Sequence, residues 1–313
     1  GEAVASINPE LIWGRNTTYL NETISKGSFP PSMGGWGRFC VTQKVVDAYL
    51  MDDGRTKEEA AADGYYSETG FTSEPRNFSG YPLNAGVYKM YANREMRFYA
   101  SVGFNEAVWQ TLSSSTLNNH TAKYYYQDED GRAGVTATSP NYPITGYVIK
   151  KYNNPMDAWT GTGARHIQKA YPIIRYAEIL LNYAEALNEA GGSRADVLNA
   201  IQPLRDRVGM TAKLTDRSDL QTIADRRNFI RKERTVELAF EDHRAWDVRR
   251  WNVAEKALAR PIYGMEVTKE NGKFVYTRKV AQNRVFTEKM YLYPIPEGEV
   301  WKTNIENNPG WNN

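Results

Sequence analysis

The segment from Asn228 to Trp251 constrains the fold more than any other part of the sequence. Nearly half of its residues are charged, yet aliphatic and aromatic residues recur through it at helical spacing. These apolar residues are Ile230, Val236, Leu238, Phe240, Trp246, Val248 and Trp251. Acids and bases alternate three and four positions apart, a spacing that places them side by side on a helix. The pattern predicts one helix with a buried face, ion pairs along its flanks and an aromatic end docked against another layer.

The acidic residues of this segment have two possible roles. Glu233, Glu237 and Glu241 would form a stripe on one face of the helix, and such a stripe could ligate a metal or supply an acid–base pair. Arginines are interleaved with them and would neutralise their charge, and a single nearby histidine makes a poor nitrogen-rich metal site. We therefore interpret the group as a structural ion-pair network. Its predicted members are Arg231, Glu233, Arg234, Glu237, Glu241, Arg244, Trp246 and Asp247.

Two more helices are predicted in the second half of the chain. Apolar residues at spacings of three and four predict a helix from Tyr171 that ends at Gly191-Gly192. A second helix, from about Arg194 to Val208, would pack closely against the first. One such pair cannot bury its hydrophobic face alone.

The first half of the chain predicts fewer regular elements. Apolar periodicity predicts a helix from Val41 to Met51, and Thr56 followed by two glutamates marks the start of another short helix. Residues 1–40 predict loop with at most short elements. Residues 64–165 are rich in Tyr, Gly, Asn, Ser and Thr and predict irregular loops around a few short strands. The extended runs are Arg97–Val102 and Tyr147–Lys151.

Composition and motifs exclude several classes of function. The formal net charge is +2, so the chain lacks the concentrated basic charge of a general nucleic-acid binder. No apolar run approaches the roughly 20 residues of a membrane-spanning helix. The single cysteine, Cys40, rules out an internal disulfide framework. Motifs for nucleotide binding, acyl transfer and metal ligation are missing from the sequence. We therefore predict no catalytic residue, cofactor or metal.

Aromatic residues supply the candidate binding site. The chain has 21 Tyr and 8 Trp against 10 Phe, and many of them lie in loops rich in glycine and asparagine. A sugar ring stacks its apolar C–H face on aromatic rings, while polar side chains take its hydroxyl groups. Any one of these rings could instead pack a loop against the helices. The candidate ligand-binding residues are Trp36, Tyr66, Trp109, Tyr125 and Trp159.

Several segments, taken together and in order, resemble signatures of the SusD/RagB family, the lipid-anchored glycan-binding proteins on the outer surface of Bacteroidetes cells. The first of them is the segment from Asn228 to Trp251. The others are VVDAYLMDDG (45–54), NREMRFYASVGFNEAVW (93–109), GYVIKKY (146–152), YPIIRYAEILLNYAEALNEAG (171–191), YLYPIP (291–296) and NPGW (308–311). The resemblance runs from about residue 41 to the end of the chain.

The resemblance implies a mainly α fold in which tetratricopeptide-like helical pairs carry a large, loop-rich lobe with short strands. Residues 1–165 would form the lobe, and residues 166–313 the helical block and an extended tail. Family members also have a signal peptide, a lipid-modified cysteine and a helical N-terminal region, which the first residues here do not resemble. We therefore expect the C-terminal portion of a longer protein. Hydrophobic side chains should then be exposed along the helical pair, whose second helix contributes Leu198, Ile201 and Leu204.

The resemblance also implies a function. We expect non-catalytic capture of oligosaccharide or polysaccharide on the outward face of the bacterial outer membrane. The glycan would pass to a SusC-like TonB-dependent transporter, and membrane attachment would come only from a lipid anchor outside this chain. Three alternatives stay open: peptide capture, as in RagB-like relatives, a glycoside hydrolase with two carboxylates about 5–10 Å apart, and a scaffold that binds only protein.

Overall fold

The computed structural model describes residues 8–15, 20–78, 81–116, 118–134 and 141–311. Its α-helices are α1 (Lys26–Ser28), α2 (Gln43–Ala48), α3 (Lys57–Ala61), α4 (Met96–Ser101), α5 (Tyr176–Glu189), α6 (Arg194–Asp206), α7 (Ile223–Glu237), α8 (His243–Arg250), α9 (Ala254–Leu258) and α10 (Glu297–Thr303). Its strands are β1 (Leu11–Arg15), β2 (Arg76–Phe78), β3 (Tyr81–Leu83), β4 (Val102–Gly103), β5 (Val108–Trp109), β6 (His120–Thr121), β7 (Val148–Ile149), β8 (Tyr171–Arg175), β9 (Ile262–Glu270) and β10 (Lys273–Gln282). A π-helix, Leu20–Ser25, leads directly into α1.

Helices α5, α6 and α7 form a helical block with its own apolar core. The core joins Ala184 of α5 to Val197, Leu198 and Ile201 of α6 and to Ile230 of α7. Capping explains where α6 and α7 begin, because the side chains of their N-cap residues accept hydrogen bonds from backbone N–H groups of the first turn. In the part of the chain that the structure describes, no helix is both long and apolar enough to cross a bilayer.

A buried asparagine fastens α5 to α7. Asn188 accepts a hydrogen bond of 2.9 Å from Nε of Arg226 and donates one of 3.0 Å to the carbonyl of Ile223. Its side chain is buried, so these bonds satisfy polar atoms that would otherwise lose their hydration without replacement.

The loop-rich lobe is held together by a core of stacked tyrosines. The rings of Tyr88 and Tyr276 lie 4.0 Å apart and nearly parallel, and those of Tyr81 and Tyr99 lie 4.9 Å apart. A buried tyrosine usually needs a hydrogen-bond partner for its hydroxyl group. The hydroxyl of Tyr91 accordingly bonds to that of Tyr147 over 3.1 Å. Many aromatic residues of the lobe therefore have a packing role.

The described strands pair in twos, and most of them are short. Each of the described strands has one antiparallel partner, giving the pairs β1–β8, β2–β3, β4–β7, β5–β6 and β9–β10. The longest pair, β9–β10, is a hairpin that the sequence analysis did not predict. Its turn is Asn271-Gly272, with φ of 49° and 77°, and Asn-Gly is the strongest short signal for a two-residue hairpin turn.

The segment Asn228–Trp251 is not one helix, so the prediction of a continuous helix is wrong. Helix α7 ends at Glu237 and α8 begins at His243. Between them Phe240 and Asp242 have φ of 67° and 61°, left-handed values that interrupt a right-handed helix. The break has a packing reason, because Phe240 turns into the core of the lobe and the carboxylate that follows it reaches basic partners outside the helix.

Two segments adopt a different secondary structure from the one predicted. Arg97–Val102, expected to be extended, is mostly helix α4, whose Arg97, Phe98 and Tyr99 are all buried. Residues 171–175, expected to begin a helix, form strand β8 and pair with β1 of the N-terminal region. Both segments adopt their secondary structure through partners that are distant in the sequence. The local apolar periodicity does not reveal those partners, so it could not predict the outcome.

The helix predicted over Val41–Met51 is shorter than expected. Helix α2 stops at Ala48, because the buried guanidinium of Arg94 takes the carbonyls of Val46 and Tyr49 as acceptors at 2.7 Å each. The helix predicted from Thr56 is confirmed, with a complete capping box between Thr56 and Glu59.

Exposed apolar side chains were expected along the pair α5–α6, and they occur on only one of the two helices. Tyr176, Ile179 and Tyr183 follow one another at helical spacing on α5 and are exposed. The residues expected to extend this surface on α6, Leu198, Ile201 and Leu204, are buried instead. Helix α6 faces the core of the block, and the apolar surface belongs to α5 alone.

Candidate functional site

A compact loop in the lobe positions Trp36. Its backbone runs beside α1, with the N–H of Trp36 donating to the carbonyl of Lys26 and that of Gly37 to the carbonyl of Phe29, at 2.9 and 2.8 Å. The two chain segments approach so closely that a Cβ on Gly35 would lie 2.2 Å from the carbonyl oxygen of Phe29. Only glycine fits at this position.

A second loop positions Trp159, and Asp157 organises it. The buried Asp157 carboxylate accepts backbone hydrogen bonds from Asn154 and Ile167 at 2.6 and 2.8 Å and forms an ion pair with Lys169. These bonds close the loop, so that the ring of His166 stacks on that of Trp159 with centroids 4.7 Å apart and 11° between the planes.

The two loops meet and form what we call the aromatic platform: Trp36, Trp159, His166, Lys26 and Arg38. Nζ of Lys26 lies 5.3 Å from the ring centroid of Trp36 and 5.6 Å from that of Trp159. The guanidinium carbon of Arg38 lies 4.2 Å from the Trp36 centroid. Both tryptophans are partly exposed. The platform therefore offers aromatic surface and positive charge together at the edge of the lobe.

Glycine also permits the contact between the two loops. Gly34 has a φ of 78°, and a Cβ there would lie 3.1 Å from Cβ of Thr160 and 3.4 Å from the backbone of Trp159. A larger residue would need both a strained backbone and a shift of the Trp159 loop.

A Ser–His–Asp contact anchors the Trp36 loop but lacks the arrangement of a hydrolase triad. Oγ of Ser32 lies 2.9 Å from Nε2 of His120 and donates to Asp130 over 2.8 Å. In a triad the histidine lies between the serine and the acid, whereas here Ser32 lies between them. Burial raises the pKa of Asp130, although backbone N–H groups of Ser32 and Lys123 lower it in part. The contact joins loops and has no activated nucleophile.

Of the five candidate aromatic residues, Trp36 and Trp159 come together at the platform. Trp109 and Tyr66 must be removed from the candidate ligand-binding residues, because they are only 1% and 6% exposed and belong to the core. Trp109 packs on Phe29 with ring centroids 5.0 Å apart. The hydroxyl of Tyr66 donates to Glu68 over 2.8 Å. Rings this enclosed cannot offer a face to a sugar.

Tyr125 is partly exposed but lies against another element. Its ring packs on Phe274 of the β9–β10 hairpin with centroids 5.3 Å apart. The neighbouring Asp128 carboxylate, together with burial, raises the pKa of the Tyr125 phenol to about 12. Tyr125 therefore packs its loop against the hairpin and lies outside the aromatic platform.

Sequence reasoning missed the basic members of the platform. Arg38 follows Trp36 by only two residues, so the sequence itself indicates that the two side chains are near each other. Lys26 and His166 reach the tryptophans only through the tertiary fold. No local signal in the sequence joins residues so far apart.

The acidic residues predicted as a network lie at the junction of the lobe and the helical block. Glu237 contacts Arg97, Arg175 and Arg207 at 2.9, 2.8 and 2.6 Å. Burial alone would raise the pKa of Glu237, but the three guanidinium groups outweigh it and hold that pKa far below its usual range. The carboxylate is therefore ionised, buried and neutralised by its neighbours.

Glu233 and Glu241 occupy the same buried layer. Glu233 contacts Arg97 at 2.6 Å. Glu241 accepts a 2.7 Å hydrogen bond from Arg175 and also contacts Lys151. The three carboxylates of this layer are buried and face basic side chains instead of a groove. In the described ranges, no group of three His, Cys, Asp or Glu side chains has the arrangement of a metal site.

Other predicted members of the network lie outside this layer. Arg234 pairs with Asp247 at 3.0 Å and so joins α7 to α8. Arg231 and Arg244 instead lie over the ring of Trp251, at 4.7 and 5.9 Å from its centroid. Including Trp246 is wrong, because it is 63% exposed. The aromatic residue that docks is Trp251, whose Nε1 donates to Glu185 over 2.7 Å.

Comparison with known proteins identifies the family. The sequence profile of the SusD family matches residues 9–311. The chain belongs to the SusD family. It is similar to SusD-like protein P2 of Formosa agariphila, with 30% identity over 211 residues, which are 59% of this chain and 39% of that protein. The family predicted from the sequence is confirmed.

Solved structures agree with this assignment. A SusD-like protein from Bacteroides fragilis superimposes with a TM-score of 0.72 at 25% identity, over 98% of this chain and 55% of that one. A SusD-like carbohydrate-binding protein, also from Bacteroides fragilis, gives 0.68 at 22% identity, over 95% and 54%. The second likeness shows the fold alone. This SusD-family chain thus spans about half the length of these solved relatives and less than half of the curated one.

Proposed function

We propose that this chain forms part of a SusD-family protein that holds oligosaccharide on the outward face of the bacterial outer membrane without cleaving it. The observation that carries the proposal is the aromatic platform. Two loops, each fixed by glycine contacts or a buried carboxylate, bring Trp36 and Trp159 together and leave both rings partly exposed.

The chemistry of the platform suits a sugar. Indole rings attract the apolar C–H face of a pyranose, and the N–H donors of Lys26, Arg38 and His166 suit the oxygen atoms around its rim. A partly exposed surface also accepts an internal section of a longer chain, which a closed cavity would exclude.

The carboxylates of the chain support binding without cleavage. A glycoside hydrolase needs two carboxyl groups facing the scissile bond. Asp157 near the platform is held by backbone N–H groups and Lys169. The acidic residues of the network are buried against arginines and lysine, so neither group can flank a bound sugar.

Membership of the SusD family supports the remaining parts of the proposal. The protein would be attached to the outer membrane by a lipid anchor and would deliver its ligand to a SusC-like TonB-dependent transporter. We infer a tetratricopeptide-like pair in α5–α6, since the two helices pack through small and aliphatic residues. The helical block would support the transporter contact, while the lobe presents the glycan.

Isothermal titration against a panel of oligosaccharides tests the proposal. Trp36→Ala and Trp159→Ala should each weaken binding by about 1 kcal/mol, or roughly fivefold, because each removes one stacking surface. Trp301→Ala is the matched control, since Trp301 is exposed on α10 and should leave affinity unchanged. Far-UV circular dichroism should show that all three variants keep the helical block.

Three results would contradict the proposal. Equal affinity of the wild type and both platform variants would remove the platform from the site. Binding of peptides but of no glycan would favour the peptide-capture alternative. Release of reducing sugar from a bound glycan would show a hydrolase.

A further inference from the structure

Among the residues that the structure describes, the two basic side chains of the aromatic platform have no acidic partner. In the part of the chain that the structure describes, no carboxylate oxygen lies within 4.0 Å of Lys26 or Arg38, and their side-chain nitrogens donate no hydrogen bond to protein atoms. Arg38 is exposed and Lys26 partly exposed. Their N–H groups are therefore directed to solvent or to a ligand.

The position of Arg38 keeps its donors available. A guanidinium lying over an aromatic ring uses its flat face for that contact, and its N–H groups point outward in its own plane. Those N–H groups form a fork that matches the two oxygens of a carboxylate or a sulfate. Lys26 adds an ammonium group, near both tryptophans, whose N–H groups can rotate toward an acceptor.

The acidic groups that hold the two loops do not neutralise this charge directly. Asp130 accepts hydrogen bonds from the backbone and hydroxyl of Ser32, at 2.8 Å each, and Asp157 pairs with Lys169. Both carboxylates are buried and are occupied by these partners. The surface of the platform is consequently positive.

We infer that the saccharide bound at the platform is anionic and carries carboxylate groups, as in uronic acids, or sulfate esters. This inference rests on the proposed function. The sugar would contact the parts of the indole rings that Arg38 and His166 leave uncovered, while its oxyanion takes N–H groups of Arg38 and Lys26. Such charge-assisted hydrogen bonds are about twice as strong as those from a neutral hydroxyl, so the platform selects for the acidic group.

Matched pairs of ligands test the inference. Oligogalacturonate is compared with the same oligosaccharide after methyl esterification, and dextran sulfate with dextran, so that each pair differs in charge and shares a backbone. By isothermal titration at low salt, the anionic member of at least one pair should bind about tenfold more tightly, the effect of one charge-assisted bond. This preference should shrink as salt is added. The pair that responds tells carboxylate from sulfate.

Charge variants tie the preference to these two residues. Arg38→Gln and Lys26→Gln should each reduce the preference for the anionic member by about threefold, so that the two losses together account for it. Lys26→Arg should keep it, and Arg38→Lys should keep part of it, since charge remains but the fork is lost. Lys232→Gln removes an exposed charge from α7 and serves as the control for net charge.

The outcomes separate this inference from the proposed function. If neutral and anionic members bind equally, or if Lys232→Gln acts as strongly as Arg38→Gln, the inference fails and glycan binding stands. If polyglutamate binds as tightly as the anionic glycans, the charge recognises any polyanion and the inference also fails. If no member of either pair and no other glycan binds, the proposed function itself is wrong.

Discussion

Several charged residues of this protein are buried, where the loss of hydration costs free energy. Glu237 is buried at the junction of the lobe and the helical block, and three arginines surround it. Such a cluster is stable only while it is complete, because removing one partner leaves an uncompensated buried charge. The acid that the sequence analysis chose as a member of a network therefore determines how the junction tolerates mutation and pH.

Replacing Glu237 should destabilise the protein strongly. We expect Glu237→Ala to reduce the free energy of unfolding by about 3–5 kcal/mol, since Arg97, Arg175 and Arg207 lose a shared partner. Urea denaturation followed by circular dichroism measures the loss. Glu299→Ala, at an exposed pair with Lys302, should change it by less than about 1 kcal/mol. Equal losses for the two variants would mean that the junction does not depend on this charge.

The same residue should make stability sensitive to acid. The folded-state pKa of Glu237 lies well below its unfolded value, so its contribution is complete above the unfolded pKa of about 4.3 and is lost as the pH falls toward the folded pKa. The difference in melting temperature between the wild type and Glu237→Gln should therefore narrow from pH 7 to pH 3. A difference that stays constant over this range would show that Glu237 is not ionised in the folded protein.

At the scale of elements, the β9–β10 hairpin depends on its turn. Gly272 has a φ of 77°, and among the described residues no neighbouring atom lies within 4 Å of the position a Cβ would take, so its requirement for glycine is conformational and not steric. Gly272→Ala should lower the free energy of unfolding by about 1–2 kcal/mol. Gly298→Ala is the matched control, because Gly298 also has open space around it but lies within helix α10, where alanine is favoured.

Thermal denaturation of both glycine variants gives the comparison. Gly272→Ala should melt below the wild type, and Gly298→Ala at the same temperature or above it. If both variants melt at the wild-type temperature, the hairpin turn tolerates a side chain and its register is held by the tyrosine contacts of β10 instead.

The elements that could be predicted are those whose signals are local. Helices α5 and α6 follow from apolar periodicity and glycine punctuation, and α3 from its capping box. Helix α4 could not be predicted, because Arg97 finds its partners Glu233 and Glu237 at separations of 136 and 140 residues. The break between α7 and α8 has the same origin, since Phe240 turns toward a core made of earlier residues. The hairpin did have a local signal, the Asn271-Gly272 turn, but the sequence analysis expected an extended tail in this part of the chain.

On the scale of the whole molecule, the lobe and the helical block are joined by buried polar contacts. Arg97 of the lobe bonds to two carboxylates of α7, and Lys151 donates to the carbonyls of Glu237 and Ala239 at 3.1 and 3.0 Å. These bonds satisfy carbonyl groups at the end of α7 and also attach the lobe to that helix. We therefore expect the lobe and the helical block to unfold together.

Arg97→Met tests this coupling. In the wild type, far-UV signals from the helical block and near-UV signals from the tyrosine core should melt in one transition. In the variant the near-UV transition should come first, since the lobe loses its bonds to α7. Arg227→Met, which removes an exposed pair with Glu189 within the block, should leave the transitions coincident. Coincident transitions in Arg97→Met would mean that apolar packing alone couples the two parts.

The candidate site shows the same limit of sequence reasoning as the fold. The abundance of tyrosine and tryptophan indicated an aromatic surface, but composition does not separate an enclosed ring such as Trp109 from a partly exposed one such as Trp36. That distinction depends on which loop lies over the ring, and the loops are set by Gly34, Gly35 and Asp157. These residues had no functional signal of their own.

The construction of the Trp36 loop has a consequence for how ligand choice can change. The loop is shaped by backbone hydrogen bonds and by glycines that allow close approach, and its tryptophan and arginine take no part in those bonds through their side chains. Under the proposed function, substitutions at 36 and 38 would therefore alter ligand recognition while the backbone hydrogen bonds of the loop stay in place, whereas a side chain at 35 would disrupt the loop. On that proposal, loop shape and ligand specificity reside in different residues, so specificity could change through one side chain at a time.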